Sequence, residues 1–466
     1  MKLTESQRKS KIDAFIQNYS ECILNESAAI FVGAGISYNA GYHLWSEFLK
    51  DRAKEIGLDV KKEESDLISL AQYYVNKNKR NKLDNEIRAF FGKNHKLTKN
   101  HNLLAQLPIK DYWTTNYDSM MERALEKQKI EHSVISKDKD IVLEKNSVIT
   151  IHKMHGDASN PQEAIIIKAD YEKYYDTHEM MLAKLKGEMC SKTFLFLGYS
   201  FNDPNINHIL ARIRKVYDKD ARRHYCIMKE VPEKDENGNQ TEDYEYKCSK
   251  QECQIKDFEN YGIEVICIKE HCEITEILEK IKQRVYVKNV VICGSFKKGQ
   301  EKNFSKFAQG LAAWLIEEDY KIHCGYGRDL GQYVVKGALE GYKSVNKKDF
   351  SKNLILFPVS KNNSHDDNSQ MRKNMIANTH ITIIIGGTDG VKEEAKISEE
   401  RGNLIIPIAS TGGAAKGIWD VMFKDKAHNF SSDEFKLLNQ NINQTEMLEN
   451  VKNVIVNYVS KATNKK

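Results

Sequence analysis

The sequence lacks any Cys-x-x-Cys pair, although it contains nine cysteines in 466 residues. Two looser pairs, Cys248 with Cys253 and Cys267 with Cys272, each enclose four residues, and no further pair with zinc-like spacing accompanies them. Because a structural zinc site takes closely spaced cysteine or histidine ligands, the sequence predicts a protein without a bound metal. The odd number and wide scatter of the cysteines indicate reduced thiols, so we expect a cytoplasmic protein.

Long apolar runs are also missing. No segment approaches the length of a membrane span, and no signal-peptide-like apolar segment stands near residue 1. No charge dominates either, because 71 lysines and arginines nearly balance 66 aspartates and glutamates, and no basic stripe with interleaved aromatic residues occurs. The sequence therefore predicts neither a membrane nor a nucleic acid as a partner.

The composition is that of a globular protein, with 40% hydrophobic and 29% charged residues and no signature of disorder. A chain of this length exceeds one ordinary hydrophobic core, so we expect two or three domains. The pattern over residues 273–283 predicts a connecting helix. Placing the boundary directly after this helix gives domains of residues 1–284 and 285–466.

An apolar segment of strand length, residues 28–32, ends at Gly33-Ala34-Gly35, and Ser37 follows closely. Glycine is suited to a turn whose backbone passes against another molecule, because it has no Cβ. Such a turn after a strand can offer backbone N–H groups to a pyrophosphate. Taken alone, a tight turn without any ligand explains the motif equally well.

Polar residues also follow a second predicted strand, in the sequence Thr-Thr-Asn-Tyr-Asp at 114–118. Open α/β sheets bind ligands at the carboxyl ends of their strands. Helix capping by Thr115 or Asp118 explains one of these residues but not the whole set. A further apolar strand, 148–151, leads to His155, although a lone histidine is more often structural.

Between these strand ends, residues 45–107 show an almost wholly helical pattern. We expect this block to be an insertion that forms a helical cap beside the ligand cleft. Another continuous apolar strand, 193–197, is typical of a buried parallel sheet and ends at Gly198 and Ser200. Four strand ends in the first half therefore carry glycine or polar residues. Together they indicate a ligand-binding edge of the sheet far more specifically than any one of them does.

This set of strand ends resembles the NAD-binding core of the sirtuins over about residues 20–220. The resemblance implies NAD+ as the substrate. It implies that Asn116 holds the nicotinamide ribose or an attacking water, and that His155 is the catalytic base. The remaining NAD-contacting positions that it implies are Gly33, Ala34, Gly35, Ser37, Thr115, Asp118, Gly198 and Ser200.

The sequence departs from the protein-deacetylating sirtuins in two places. Those sirtuins carry a zinc ribbon built from two Cys-x-x-Cys pairs, which this chain cannot supply. Their first loop continues with proline, phenylalanine and arginine, where this chain reads Gly-Tyr-His-Leu-Trp at 41–45. An NAD-dependent protein deacylase is therefore the less favoured alternative, while the sequence contains every NAD-cleaving residue that the resemblance implies.

The second half of the chain again alternates strands with helices. Apolar strand segments are predicted at 290–295, 321–326, 353–359, 379–385 and 403–409. This alternation predicts a doubly wound parallel sheet. The whole chain is therefore predicted to be α/β, with two Rossmann-like doubly wound parallel-sheet domains, the first of which carries the helical insertion.

The glycine-rich strand ends of this half resemble the SLOG superfamily over about residues 288–460. In that superfamily glycine loops cradle a nucleotide phosphate, while an arginine and a glutamate hold the sugar or phosphate. The Gly-Gly-x-Gly-Thr loop of its hydrolytic members is altered here, with Val391 in place of the threonine, which favours a ligand sensor. The alternative for the charged residues is that they are solvated helix charges. The implied activator-binding positions are Gly294, Ser295, Gly325, Gly327, Arg372, Gly386, Gly387 and Glu394.

A sirtuin-like domain followed by a SLOG domain resembles the Thoeris antiphage effectors. The resemblance implies an NAD+ glycohydrolase that depletes NAD+ during bacterial antiphage defence (abortive infection). It also implies activation by a cyclic ADP-ribose isomer, which a TIR-domain partner protein makes and the SLOG domain binds. Assembly into homotetramers or larger arrays is implied as well. A module in which both nucleotide folds only sense ligands is the remaining alternative.

Overall fold

A computed structural model of the chain describes residues 4–42, 44–60, 66–143, 148–201, 203–217, 222–234, 238–296, 301–326, 329–346, 349, 352–358, 365–425, 430–440 and 443–463. The chain divides into two compact units, Met1–Lys282 and Gln283–Lys466. The division falls inside a helix, Cys272–Tyr286, two residues before the boundary that the sequence predicts.

The first unit is built on a parallel sheet that has seven strands among the described residues. In chain order they are β1 (Ala28–Val32), β2 (Asp111–Thr114), β3 (His132–Ile135), β4 (Ile149–Lys153), β5 (Thr193–Leu197), β6 (His224–Lys229) and β7 (Ile263–Ile268). Their order across the sheet is β3-β4-β2-β1-β5-β6-β7. Val32 at the end of β1 pairs with Thr114 of β2 and Leu197 of β5, so the loops that follow these strands emerge side by side.

The central strands of this sheet are buried on both faces. Every residue of β1 and of β5 is buried, as their continuous apolar sequences predict. Phe31 stacks on Phe196 of the neighbouring strand with ring centroids 5.4 Å apart. Close packing of this kind holds the two strand ends, and the loops that follow them, in a fixed relation.

Twelve α-helices with described bounds begin in the first unit. They are α1 (Glu5–Leu24), α2 (Ala34–Tyr38), α3 (Trp45–Glu55), α4 (Leu67–Asn78), α5 (Arg80–Phe91), α6 (Lys99–Leu104), α7 (Met120–Lys127), α8 (Lys168–Thr177), α9 (Glu179–Ser191), α10 (Pro204–Tyr217), α11 (Tyr244–Asn260) and α12 (Cys272–Tyr286). Helices α3 to α6 form the predicted insertion. Phe48 and Tyr74 of this insertion belong to one apolar cluster with Tyr117, Met120 and Ala158. The insertion therefore packs against the loops that follow β2 and β4.

Three elements of the first unit differ from the sequence-based expectation. The amphipathic pattern over residues 171–186 predicts a single helix, but the structure has two, α8 and α9, which meet at His178. Strand β3 was not predicted, because its sequence His-Ser-Val-Ile is short and three of its four residues are not buried. Helix α11 was not predicted either, because none of its residues is buried and its sequence has no apolar stripe.

The second unit contains a smaller parallel sheet, with five strands among the described residues. These are β8 (Asn289–Ser295), β9 (Lys321–Tyr326), β10 (Leu354–Pro358), β11 (Ile381–Gly386) and β12 (Leu404–Ile408). Their order is β10-β9-β8-β11-β12, so the chain changes direction across the sheet between β8 and β11. The carboxyl ends of strands at such a switch point border a ligand crevice in open α/β sheets.

Helices cover both faces of this sheet. They are α13 (Glu301–Glu317), α14 (Leu330–Ser344), α15 (His365–Ile376), α16 (Asp389–Glu400), α17 (Gly413–Asp425), α18 (Ser432–Leu437) and α19 (Gln444–Thr463). Val290 and Ile292 of β8 belong to one apolar cluster, while Val291 and Cys293 belong to another. Because alternate residues of a strand point to opposite faces, these are the two cores of a doubly wound sheet.

The predicted fold class is confirmed by these two parallel α/β units, the first with its helical insertion. No helix in the described ranges is both long enough and apolar enough to cross a membrane.

Candidate functional site

The glycine turn after β1 packs directly against the loop after β5. The N–H of Gly33 donates to the Leu197 carbonyl (2.8 Å), and the N–H of Gly35 donates to the Gly198 carbonyl (2.9 Å). A Cβ at Gly33 would stand 2.3 Å from the Gly198 oxygen, and one at Gly35 would stand 2.9 Å from the Gly198 Cα. These glycines are therefore required by backbone packing. Because both N–H groups bond within the protein, Gly33 and Gly35 could meet a dinucleotide only through other atoms.

The chain turns at Gly33 and then forms the short helix α2, which begins at Ala34. Ser37 lies on α2 and is buried. The Asn116 Nδ2 lies 3.4 Å from the Ser37 Oγ. The Asn116 N–H donates to the Thr114 Oγ1 (2.9 Å), and that hydroxyl donates to a carbonyl of β1 (2.8 Å). The structure thus brings Asn116 to the first loop and holds it there through two strand ends.

Asp118 caps the helix that follows its strand, as the structural alternative predicts. Its Oδ1 accepts a hydrogen bond from the Met120 N–H (3.0 Å) at the start of α7. Its side chain is buried, whereas Thr115 is half-buried beside Asn116. Ser200 is exposed on the loop after β5. Asp118 therefore fixes the Asn116 loop to the start of α7.

His155, in the loop after β4, is paired with a carboxylate. Its Nε2 lies 2.7 Å from the Asp203 Oδ2, and both side chains are buried. The other oxygen of Asp203 accepts from the N–H groups of Asn205 (2.8 Å) and Ile206 (3.2 Å) at the start of α10. Burial alone would raise the pKa of Asp203, but the His155 ring and these N–H donors hold it below its ordinary value. Asp203 is thus an anion that orients His155.

Sequence reasoning missed Asp203 and Lys153. Asp203 stands in the polar segment after β5, so the rule that named the other strand ends could have named it. Lys153 is the last residue of β4, two residues before His155, and its ammonium is completely buried. A lysine at the end of an apolar strand carries no signal of burial in the sequence, because lysine is usually exposed.

The loops after β2 and β4 are joined by several backbone contacts. The Met154 N–H donates to the Thr114 carbonyl (2.9 Å), and the Ala158 N–H donates to the Tyr117 carbonyl (3.0 Å). The structure therefore places Asn116 and His155 on neighbouring, mutually bonded loops at the carboxyl edge of the sheet. An amide that can both donate and accept hydrogen bonds and an imidazole that can take up a proton therefore stand on adjoining loops.

One buried group in the described part of the first unit has the residue types of a metal site. The ligand atoms of Asp111, His152 and Glu188 lie within 4.8 Å of one another. However, the Lys192 Nζ lies 2.5 Å from the Asp111 Oδ2, and both it (3.4 Å) and the Lys184 Nζ (3.2 Å) approach the Glu188 Oε1. Two ammonium groups thus balance the two carboxylates, so a divalent cation would have to displace a lysine.

In the second unit, the ends of β8 and β11 meet backbone to backbone. A Cβ at Gly294 would stand 2.0 Å from the Ile385 oxygen, and one at Gly386 would stand 2.4 Å from the Ser295 oxygen. The Gly387 N–H donates to the Ser295 carbonyl (2.9 Å). The structure therefore brings Gly294, Ser295, Gly386 and Gly387 together at the switch point of the sheet.

Arg372 on α15 lies across the first turns of α16. Its Nη1 is 2.8 Å from the Glu393 Oε2, and its Nε is 3.5 Å from the Glu394 Oε1. Burial raises the pKa of Glu394 to about 7, although a hydrogen bond with Cys293 and the Arg372 charge oppose the rise. The side chains of Arg372 and Glu394 are only 17% and 12% exposed. The alternative of two solvated helix charges is therefore wrong.

One of the two remaining predicted positions lies on β9. Gly325 stands on β9, on the opposite side of β8 from β11, and its oxygen would be 2.4 Å from a Cβ placed at Gly331. Gly327 lies outside the described residues.

Comparisons with known proteins agree with this architecture. A model of the SIR2-like domain matches residues 110–266, and a model of the Sir2- and TIR-associating SLOG family matches residues 273–465. The chain is 35% identical to the NAD(+) hydrolase ThsA of Bacillus cereus (strain MSX-D12), covering 97% of this chain and 99% of that one. It is 36% identical to the NAD(+) hydrolase ThsA of Enterococcus faecium (94% and 97% covered) and 35% identical to that of Acinetobacter baumannii (strain 532279) (97% and 99% covered).

These matches run through both units, so the predicted resemblance to a sirtuin-like domain joined to a SLOG domain is confirmed. By its identity and coverage, the chain belongs to the ThsA family, whose curated members are named NAD(+) hydrolases.

Proposed function

We propose that this chain is an NAD+ glycohydrolase, which cleaves NAD+ to nicotinamide and ADP-ribose. The observation that carries the proposal is the arrangement of the Asn116 amide and the His155–Asp203 pair at one edge of the sheet. Full-length relatives named NAD(+) hydrolases support it. The test is the release of free nicotinamide from NAD+ by the full chain without any acylated peptide. Strict dependence on an acylated peptide would instead indicate a deacylase.

The proposed chemistry needs a held ribose and a directed water. Breaking the nicotinamide–ribose bond expels neutral nicotinamide and leaves an oxocarbenium-like ribose. The Asn116 amide offers both a donor and an acceptor, so it can hold a ribose hydroxyl and a water together. As the water oxygen bonds to the ribose, its proton passes to His155. The Asp203 carboxylate faces Nε2, which leaves Nδ1 to take the proton, and it stabilises the imidazolium that forms.

Asp203→Asn is expected to lower NAD+ turnover by about 10²–10⁴-fold, because the neutral amide no longer stabilises charged His155. The matched control is Asp138→Asn, since Asp138 also accepts two N–H groups at a helix start, from Met180 (2.9 Å) and Met181 (3.0 Å). That variant is expected to turn over NAD+ within about threefold of the parent. Nicotinamide release measures both, and near-parental turnover in Asp203→Asn would contradict the assigned role.

We further propose that no metal takes part. Prolonged treatment with a chelator is expected to leave both turnover and melting temperature unchanged, because Lys184 and Lys192 already neutralise the carboxylates of the Asp111 group. Metal analysis of the purified protein provides the second measurement. Stoichiometric metal that disappears in Asp111→Asn would show that this group binds a cation and would contradict the proposal.

The second unit is proposed to be the sensor. A cyclic ADP-ribose isomer, made by a TIR-domain partner protein, binds at the ends of β8 and β11 and activates NAD+ cleavage. Support comes from the ends of β8 and β11, which meet at the switch point of the sheet, from the largely buried pair of Arg372 and Glu394, and from the match to a Sir2- and TIR-associating family. We further propose that the activated protein depletes NAD+ in the cytoplasm during antiphage defence. In this proposal it acts as a homotetramer or a larger assembly.

A further inference from the structure

The side chain of Lys153 is completely buried at the end of β4. Within the described residues its Nζ contacts four oxygens: the Glu122 Oε1 at 2.9 Å, the carbonyls of Asp118 at 2.7 Å and Tyr117 at 3.4 Å, and a carboxylate oxygen of Asp157. An ammonium group has three N–H donors and no acceptor. Its hydrogen-bonding capacity is therefore fully used.

These oxygens belong to the two loops that carry the proposed chemistry. The carbonyls of Tyr117 and Asp118 directly follow Asn116, and Asp157 stands two residues after His155. One ammonium group thus bonds the Asn116 loop on one side and the His155 loop on the other. Glu122, by contrast, lies on α7 and touches the ammonium from outside both loops.

The charges of the cluster keep this connection in place. Burial alone would lower the pKa of Lys153, but the carboxylates of Glu122 and Asp157 raise it above its ordinary value. Burial likewise opposes ionisation of Asp157, yet the Lys153 charge and hydrogen bond, with further bonds from Ser159, hold its pKa below the ordinary value. Lys153 is therefore a cation and Asp157 an anion, and each stabilises the charged form of the other.

Other contacts keep the two loops adjacent without Lys153, including the Ala158 N–H bond to the Tyr117 carbonyl (3.0 Å). Lys153 additionally holds the carbonyls of Tyr117 and Asp118 in a fixed direction. Because these carbonyls directly follow Asn116, their direction sets the orientation of the Asn116 amide. A misplacement of about 1 Å at a reacting group can lower a rate by about 100-fold.

We propose that Lys153 is a positioning residue for NAD+ cleavage, which fixes the Asn116 loop against the His155 loop through its buried ammonium group. The inference rests on the proposed NAD+ glycohydrolase function.

The test compares Lys153→Met with the matched variant Glu122→Gln in the full chain. Methionine fills the space of lysine without donating hydrogen bonds. Glu122→Gln, by contrast, leaves the bonds to both loops in place and keeps the Asp157 carboxylate as the counter-charge of Lys153. We expect Lys153→Met to lower kcat by about 100-fold, with KM for NAD+ changed less than about threefold. Glu122→Gln is expected to keep kcat within about threefold. The stoichiometry of ADP-ribose binding, measured by calorimetry, gives the fraction of each variant that has a folded site.

A second pair of variants covers the case in which Lys153→Met does not fold. Lys153→Met with Glu122→Gln removes one of the two carboxylates that would be left unpaired, and Asp157→Ala cuts the connection on the His155 side alone. Asp157→Ala is expected to lower kcat by about tenfold. Near-parental kcat in any folded Lys153 variant or in Asp157→Ala would overturn the inference, as would an equal loss in Glu122→Gln. A parent without nicotinamide release would instead refute the proposed function.

Discussion

Asn116→Ala is expected to nearly abolish NAD+ cleavage, lowering turnover by about 10³-fold. Alanine removes the amide that is proposed to hold the ribose hydroxyl and the attacking water. The measurement is nicotinamide release under conditions in which the parent chain is active.

The fold is expected to survive this change. The side chain of Asn116 is half-buried, and its contact with the Ser37 Oγ is long, at 3.4 Å. Its loss should lower the melting temperature by only a few degrees. Asn76→Ala, at an exposed position of α4, is the matched control and should behave as the parent does. An Asn116→Ala variant that cleaves NAD+ within a few-fold of the parent would show that the site was assigned wrongly.

The sequence predicted where the strands of the first sheet end, but not which strand ends pack against each other. The apolar run to Val32 and the glycines after it predicted a strand and a close approach. The partner of that approach is Gly198, at the end of a strand far along the chain. Local spacing carries no information about such a partner, so the sequence could not show that these glycines pack against the backbone of a distant strand end.

The pairing of His155 with Asp203 shows the same limit more clearly. Both residues stand after strand ends, which the rule for parallel sheets locates correctly. In the sheet, however, β2 and β1 lie between β4 and β5. Which carboxylate meets which histidine is decided by the strand order and by the direction of the loops. The residues around His155 or Asp203 alone determine neither the strand order nor the direction of the loops.

The second unit gives a case in which side-chain burial was unpredictable. The sequence Lys-Glu-Glu at 392–394 has the composition of an exposed helix face. The structure instead packs Glu394 against Cys293 and Arg372, which leaves its side chain only 12% exposed, while Lys392 stays exposed. Helical periodicity places Glu394 on a different face from Lys392, but only the packing of α15 against α16 shows that this face is covered.

Arg372→Ala is expected to abolish activation by the cyclic ADP-ribose isomer and to weaken its binding at least about 100-fold. The planar guanidinium can donate two parallel hydrogen bonds to a phosphate, which alanine cannot replace. Its present partners, Glu393 and Glu394, show that the group is already oriented beside the glycine loop. Calorimetry of the full chain with each candidate isomer measures binding, and nicotinamide release measures the response.

Lys416→Ala is the matched control for this variant. Lys416 on α17 is a half-exposed cation that pairs with Asp420 at 2.8 Å and lies 4.6 Å from the centroid of the Trp419 ring, so its loss removes one charge and leaves Arg372, Glu393 and Glu394 unchanged. A ligand activates only if it binds the active arrangement more tightly than the resting one, so binding and response must fall together. Undiminished binding in Arg372→Ala would place the sensor pocket elsewhere. Lost binding with a full response would mean that the isomer activates from a different site, because a ligand that is not bound cannot shift the equilibrium.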